Sequence, residues 1–193
     1  MAEVLVFHHA HGATPGVGEF AETLRQDGHT VHVPDLYDGQ VFEDQEQGLA
    51  YAREVGFDAL TERGRLAAQE LPAGLVYAGF SLGVMPAQLL AQTRPGAKGA
   101  LLLHGCITPS EFGGPWPQGV PVQVHAMQAD PFFIEEGGDL EAAQALVEAT
   151  TDAELFLYPG EEHLFSDASL PAYDEQAAAL LTERVLAFLA RLG

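Results

Sequence analysis

Leu75-Val76-Tyr77-Ala78-Gly79-Phe80-Ser81-Leu82-Gly83 decides how the chain is read. An apolar run breaks at a serine between two glycines and continues into a helix-like segment. In a G-x-S-x-G turn the chain leaves a buried strand and reverses into a helix so sharply that the central residue takes a strained backbone conformation. Gly79 and Gly83 supply the missing bulk that such a reversal needs. The serine hydroxyl then stands above the carboxyl edge of a sheet, at the positive end of the following helix, where an oxyanion is stabilised. In a chain with 21 glycines the pentapeptide also arises by chance, and Ser81 then reads as an ordinary turn serine. The context separates the two readings: a strand before, a helix after, and an acid and then a histidine further along.

Working outward, the chain supplies that context. Upstream, Val4-Leu5-Val6-Phe7 is a short continuous apolar run, the mark of a strand buried on both faces. It ends in the polar loop His8-His9-Ala10-His11-Gly12. Val17, Phe20, Ala21 and Leu24 have helical spacing, and that helix closes at Gly28. Thr30-Val31-His32-Val33 reads as the next strand, stopped by Pro34-Asp35-Leu36-Tyr37. A polar excursion over 38–47 precedes a long helical pattern through Leu49, Ala52, Val55, Leu60, Leu66 and Ala67, which Gly56 and Gly64 interrupt or bend. Downstream, residues 82–91 form a helix apolar almost all round, with Pro86 near its first turn. Strands follow at 99–104, 121–126 and 154–158, with helices at 139–149 and 173–192. About six strands alternating with helices predict an α/β class, a doubly wound, mostly parallel sheet in one domain over 1–193.

Composition narrows the function. The 193 residues are 47% hydrophobic, with mean hydropathy near zero, enough for one well-buried core and short for two. The first residues lack a basic start and a cleavage site, and no apolar run approaches ~18 residues, so a soluble, cytoplasmic protein without membrane contact is expected. The single cysteine, Cys106, excludes an internal disulfide framework and a cysteine zinc cluster; it reads as a small buried hydrophobe. A net charge of -20 argues against nucleic-acid partners.

In such a sheet the site lies beyond the carboxyl ends of the strands, where the residues to inspect are Ser81, Asp130 and His163. Their order along the chain is that of α/β-hydrolases. His163 would take the proton of Ser81 during attack, and Asp130 would fix the imidazole tautomer. Glu135, Glu136 and Asp139 are alternative acids, Asp130 before Pro131 could merely shape a turn, and His163 could be a surface-loop histidine. The Leu82 N–H is one oxyanion donor by position, with Ala10 or His11 supplying the second; one such donor is worth roughly 3 kcal/mol. Phe112, Trp116 and Phe132 are candidate pocket walls, with His9 in the pocket and Tyr37 near its rim. Adjacent His8 and His9 point in opposite directions on an extended chain and have no Cys or Glu-x-x-His partner, so no metal is expected. His104 and His125 read as strand-end or core histidines. The glycines of 12–18 match neither phosphate-binding motif, so nucleotide binding has little support.

Over nearly its whole length the chain resembles the dienelactone hydrolase family of α/β-hydrolases. Beyond Ser81, Asp130 and His163, Asp27-Gly28-His29-Thr30-Val31 leading to Pro34-Asp35-Leu36-Tyr37 is similar to the family's second-strand pattern, and 173–189 to its closing helix. The resemblance implies a hydrolase of small ester or lactone substrates without a cofactor. A thioester substrate, or a non-catalytic binding role, are the alternatives, and the oligomeric state is left open. Three positions depart from the family: Ser81 stands where the family has cysteine, Ala10 at about the place of a glutamate that switches on the thiol, and Asp167 at about the place of an arginine that holds a substrate carboxylate. A serine does not need that switch. The missing arginine, in so acidic a chain, argues against dienelactone itself.

Overall fold

The apolar runs become the strands of one parallel sheet. The structure, a computed structural model, describes residues 1–134 and 138–193. Its strands are β1 (Glu3–Phe7), β2 (Thr30–His32), β3 (Val76–Phe80), β4 (Gly99–Leu103), β5 (Val122–Met127) and β6 (Ala153–Tyr158). They lie in the order β2-β1-β3-β4-β5-β6 with every neighbouring pair parallel. The chain steps from β1 outward to β2, then crosses back to β3 and continues the other way. That reversal opens a crevice between the carboxyl ends of β1 and β3, into which the loops after Phe7 and Phe80 project.

Alternation along the strands feeds two apolar layers. Leu5, Phe7, Tyr77, Leu102, Val122 and Val124 face the layer that holds α2 (Gln45–Val55), α3 (Phe57–Ala67), α4 (Val84–Thr93) and α6 (Asp139–Ala149). Val4, Val6, Val76, Ala78, Leu101 and Leu103 face α1 (Pro15–Gln26) and α7 (Glu175–Leu192). The α1 stripe Val17, Phe20, Ala21 and Leu24 is buried as its spacing predicts. Thr14 caps the helix by accepting the Val17 N–H, and Pro15 opens its first turn. Asp174 caps α7 in the same way through the Ala177 N–H.

The helical pattern from Leu49 to Ala67 resolves into two helices rather than one bent one. Gly56, with φ of 95°, ends α2 and starts α3, a backbone turn that suits glycine. Gly64 does not interrupt α3. A Cβ there would lie 3.1 Å from Phe7 Cε1 and overlap Pro86, so this glycine lets α3 approach α4. One short helix, α5 (Pro131–Ile134), follows β5 where no element was expected.

Candidate active site

Ser81 follows β3 directly, in a tight 3-10 turn over Ser81–Gly83 that leads into α4. Its φ is 48°, a left-handed conformation unusual for a residue with a side chain. The flanking glycines make it tolerable. A Cβ on Gly79 would overlap the Gly83 carbonyl, and one on Gly83 would overlap the Phe7 carbonyl and lie 2.7 Å from that of His8. The elbow is therefore pressed against the end of β1, and the two loops of the crevice are held at backbone contact.

The candidate base and acid, His163 and Asp130, come from the loops after β6 and β5. His163 Nε2 lies 2.9 Å from Ser81 Oγ, and His163 Nδ1 lies 2.6 Å from Asp130 Oδ2. Asp130 is fully buried, and its other oxygen accepts the Phe132 N–H at 2.9 Å. With Nδ1–H donating to the carboxylate, Nε2 presents its lone pair to the serine hydroxyl, the tautomer that general-base chemistry requires. Asp139 bonds elsewhere: its Oδ2 accepts the Cys106 N–H at 3.0 Å. Glu135 and Glu136 lie outside the described residues. Ser81 remains partly accessible, and Phe132, 39% exposed, lies tilted against the His163 ring with centroids 4.7 Å apart.

The loop after β1 sorts the remaining candidates. The His11 N–H donates to His9 Nδ1 at 3.3 Å, and His11 Nδ1 pairs with the Phe42 carbonyl at 2.9 Å. Its amide is thus committed within the loop. Neither N–H of the two residues considered for the second oxyanion donor meets a backbone carbonyl among the described residues, but only that of Ala10 also lacks a side-chain acceptor there. Leu82, second in its 3-10 turn, has no intrahelical partner for its own N–H.

Three expected pocket residues belong to the packing instead. His9 is wholly buried and directs Nε2 at Asp167 Oδ2, 2.7 Å away. Tyr37 is wholly buried too, its hydroxyl donating to the Gly48 carbonyl at 3.3 Å; burial, then the neighbouring Tyr51, push its pKa up to about 12. Trp116 donates its indole N–H to Val120 O at 2.7 Å, at the amino end of β5 and so at the opposite sheet edge from the crevice. Phe112 is half-buried in a 3-10 turn, Pro109–Phe112, that packs on α4. Aromatic character in a loop marked Phe112 and Trp116, and the place after a strand end marked His9 and Tyr37; neither signal distinguishes a core ring from a pocket ring.

Sequence reading missed the buried partners behind the site. Asp167 is 1% exposed and accepts hydrogen bonds from His9, Thr14 and Ser169. Burial by itself would raise its pKa, but these donors outweigh it and hold the carboxyl well below the usual range. His104, at the end of β4 with φ of 61°, pairs through Nε2 with Ser166 Oγ at 2.6 Å. Its ring stands edge-on to His163, and burial, then the nearby His163, hold it neutral. The partners of each pair are far apart in sequence, so no local motif announces them. His8 and His9 serve different neighbours, Leu36 N–H and Asp167. Among the described residues no cluster of three or more His, Cys, Asp or Glu side chains could hold a metal ion. Nor is any helix among them long and apolar enough to cross a membrane.

A six-stranded parallel sheet, flanking helices and a serine elbow at the crevice define an α/β-hydrolase fold. The chain belongs to the dienelactone hydrolase family, whose sequence profile matches residues 1–193, and with that family it is a hydrolase acting on ester bonds. Solved structures with this fold include the one designated m3DLH, at 22% identity and a TM-score of 0.77, covering 99% of this chain and 86% of that one. The dienelactone hydrolase-like promiscuous phosphotriesterase P91 from metagenomic libraries gives 21% and 0.76, covering 100% and 87%. The dienelactone hydrolase from Anabaena variabilis gives 19% and 0.72, with the same coverage. At these identities the likeness is one of fold. Among curated protein sequences no significant match is found.

Proposed function

We propose that the protein is a serine hydrolase that cleaves small, uncharged ester or lactone substrates through an acyl-enzyme, with residues 1–193 as one catalytic domain. The reading is carried by the chain Asp130–His163–Ser81, with 2.6 and 2.9 Å links, ending on a serine at φ of 48°. Ser81 Oγ attacks the carbonyl carbon while His163 Nε2 takes its proton. The oxyanion is received by the N–H groups of Leu82 and Ala10. Collapse breaks the ester C–O bond, and His163 returns the proton to the leaving oxygen, which stays tethered when the substrate is a lactone. Water then attacks the acyl-serine by the same route in reverse. Asp167, buried, stands at about the place where the resemblance to the family puts an arginine for a substrate carboxylate. That favours an uncharged acyl group over a dienelactone.

Ser81→Ala, assayed with p-nitrophenyl acetate and butyrate, should lose kcat by about 10⁴-fold or more. Undiminished turnover would sink the assignment.

A further inference from the structure

The loop that carries the oxyanion donor is itself held by an aspartate–histidine pair. His9 Nδ1 faces the His11 N–H at 3.3 Å, so it must present a lone pair, and the ring proton sits on Nε2. That proton points at Asp167 Oδ2, 2.7 Å away. The same oxygen accepts the Thr14 hydroxyl at 2.5 Å, and Oδ1 accepts the Ser169 N–H and hydroxyl at 2.8 and 2.6 Å. All acceptor positions of the carboxylate are taken, so it can only accept, and the opposite His9 tautomer would set N–H against N–H at His11.

A buried charge is a costly way to join two loops, but unlike an apolar contact it dictates a tautomer. Asp167 belongs to the same loop as His163, and His9 precedes Ala10. The pair therefore couples the segment that holds the base to the segment that holds the second oxyanion donor. Space for it is made by Gly16, whose Cβ would overlap the Asp167 carboxyl and lie 2.9 Å from the Ala168 nitrogen. From the other side Gly48 lets α2 approach the Ala10 carbonyl, where a Cβ would overlap it.

We propose that Asp167 and His9 are positioning residues for the oxyanion loop: Asp167 fixes His9 as the Nε2–H tautomer, His9 Nδ1 holds back the His11 N–H, and the loop backbone so fixed leaves the Ala10 N–H, in the preceding peptide unit, as the donor offered to the oxyanion. This rests on the serine-hydrolase reading above.

Asp167→Asn leaves one oxygen where the carboxylate has two, so the His9 Nε2–H and the Ser169 N–H can no longer both meet an acceptor and the hold on the His9 tautomer is weakened; His9→Gln removes the ring. Each variant is titrated with a fluorophosphonate to count active serines, then assayed with p-nitrophenyl acetate. Per titrated serine, kcat should fall at least about tenfold with KM within about twofold, part of the roughly 10²–10³-fold that one oxyanion donor is worth. Affinity for a trifluoromethyl ketone, which forms a tetrahedral adduct, should fall by the same factor. A purely structural pair would lower the count of titratable serines and leave kcat per serine unchanged, which overturns the proposal. Should either variant fail to fold, long-range ¹H–¹⁵N spectra of the wild-type protein decide. Neutral His9 protonated on Nε2 at pH 7.5 is the expected result, and an Nδ1–H or cationic ring refutes it. Failure of wild-type Ser81 to label would remove the underlying serine-hydrolase reading, an outcome distinct from labelled variants that turn over normally.

Discussion

Asp139 sits in the first turn of α6, its carboxylate on the Cys106 N–H and in the field of both His163 and Asp130. Burial raises its pKa, and Asp130 adds to that; the Cys106 N–H and His163 pull the other way, leaving it at about 6 against an ordinary 3.8. A carboxyl whose folded pKa is raised holds its proton more tightly in the folded state. Its ionisation therefore costs stability as pH rises from about 4 to about 6. Asp139→Asn keeps an oxygen for the Cys106 N–H and removes the charge. The variant should melt above the wild type at pH 7.5 and match it near pH 4, and thermal unfolding at the two values checks this. Equal melting at both would show that Asp139 is well solvated. The same residue was one of several acids that spacing left open beside Asp130. Chain order restricted the acid to the stretch after β5, but which carboxylate turns toward His163 depends on the path of α5 and the start of α6, which no local pattern encodes.

The elements that build the crevice meet through glycines, and their costs differ by what a methyl group would strike. Gly83 lies against the carbonyl oxygens of Phe7 and His8, at and just past the end of β1, backbone atoms that yield less readily than the far end of a flexible side chain. Gly83→Ala should lose ~1–3 kcal/mol of stability by overpacking and should lower kcat, because the elbow is pushed from the Ala10 loop. Gly18, inside α1 and exposed, would meet nothing within 4 Å. Gly18→Ala should gain ~0.5–1 kcal/mol through helix propensity alone, with kcat unchanged. Urea unfolding and turnover of the two variants make the comparison, and an active, undestabilised Gly83→Ala would remove the close-contact account of the elbow. At this scale much was legible. Continuous apolar runs became strands, helical stripes became α1 and α7, and Gly-Phe-Ser-Leu-Gly became the elbow, since each is a local signal that tertiary packing reinforces. Gly56 and Gly64 show the limit. Both fall within the same helical pattern, but only Gly56 sits at a break between helices, while Gly64 is explained by Pro86, distant in sequence.

Over the whole molecule, the buried histidines set the response to acid. His8, His9, His104 and His125 are each no more than 1% exposed. Burial is the largest cause of lowered pKa in all four, bringing His8 to about 4 and His125 to about 3. A histidine whose folded pKa lies below its unfolded 6.5 stays neutral in the fold while the unfolded chain takes up a proton. Stability is then lost as pH falls through 6.5 toward the folded pKa, at up to about 1.4 kcal/mol per pH unit for each group. Asp139 opposes this below pH 6, but it is one group against four. The net charge of -20 also opposes it, since protonating surface carboxylates relieves repulsion. That repulsion acts largely between exposed groups and is screened once the Debye length falls below their spacing, at ~3 Å in 1 M salt; the histidine burial is not screened. Urea midpoints measured in 1 M NaCl should therefore fall steadily from pH 7 to pH 5. At pH 7.5 added salt should raise the midpoint, because at a net charge of -20 screening removes more repulsion than it does attraction within the few surface ion pairs. A midpoint that holds or rises between pH 7 and pH 5 at high salt would mean that these histidines are protonated within the fold, with water or a carboxylate reaching them.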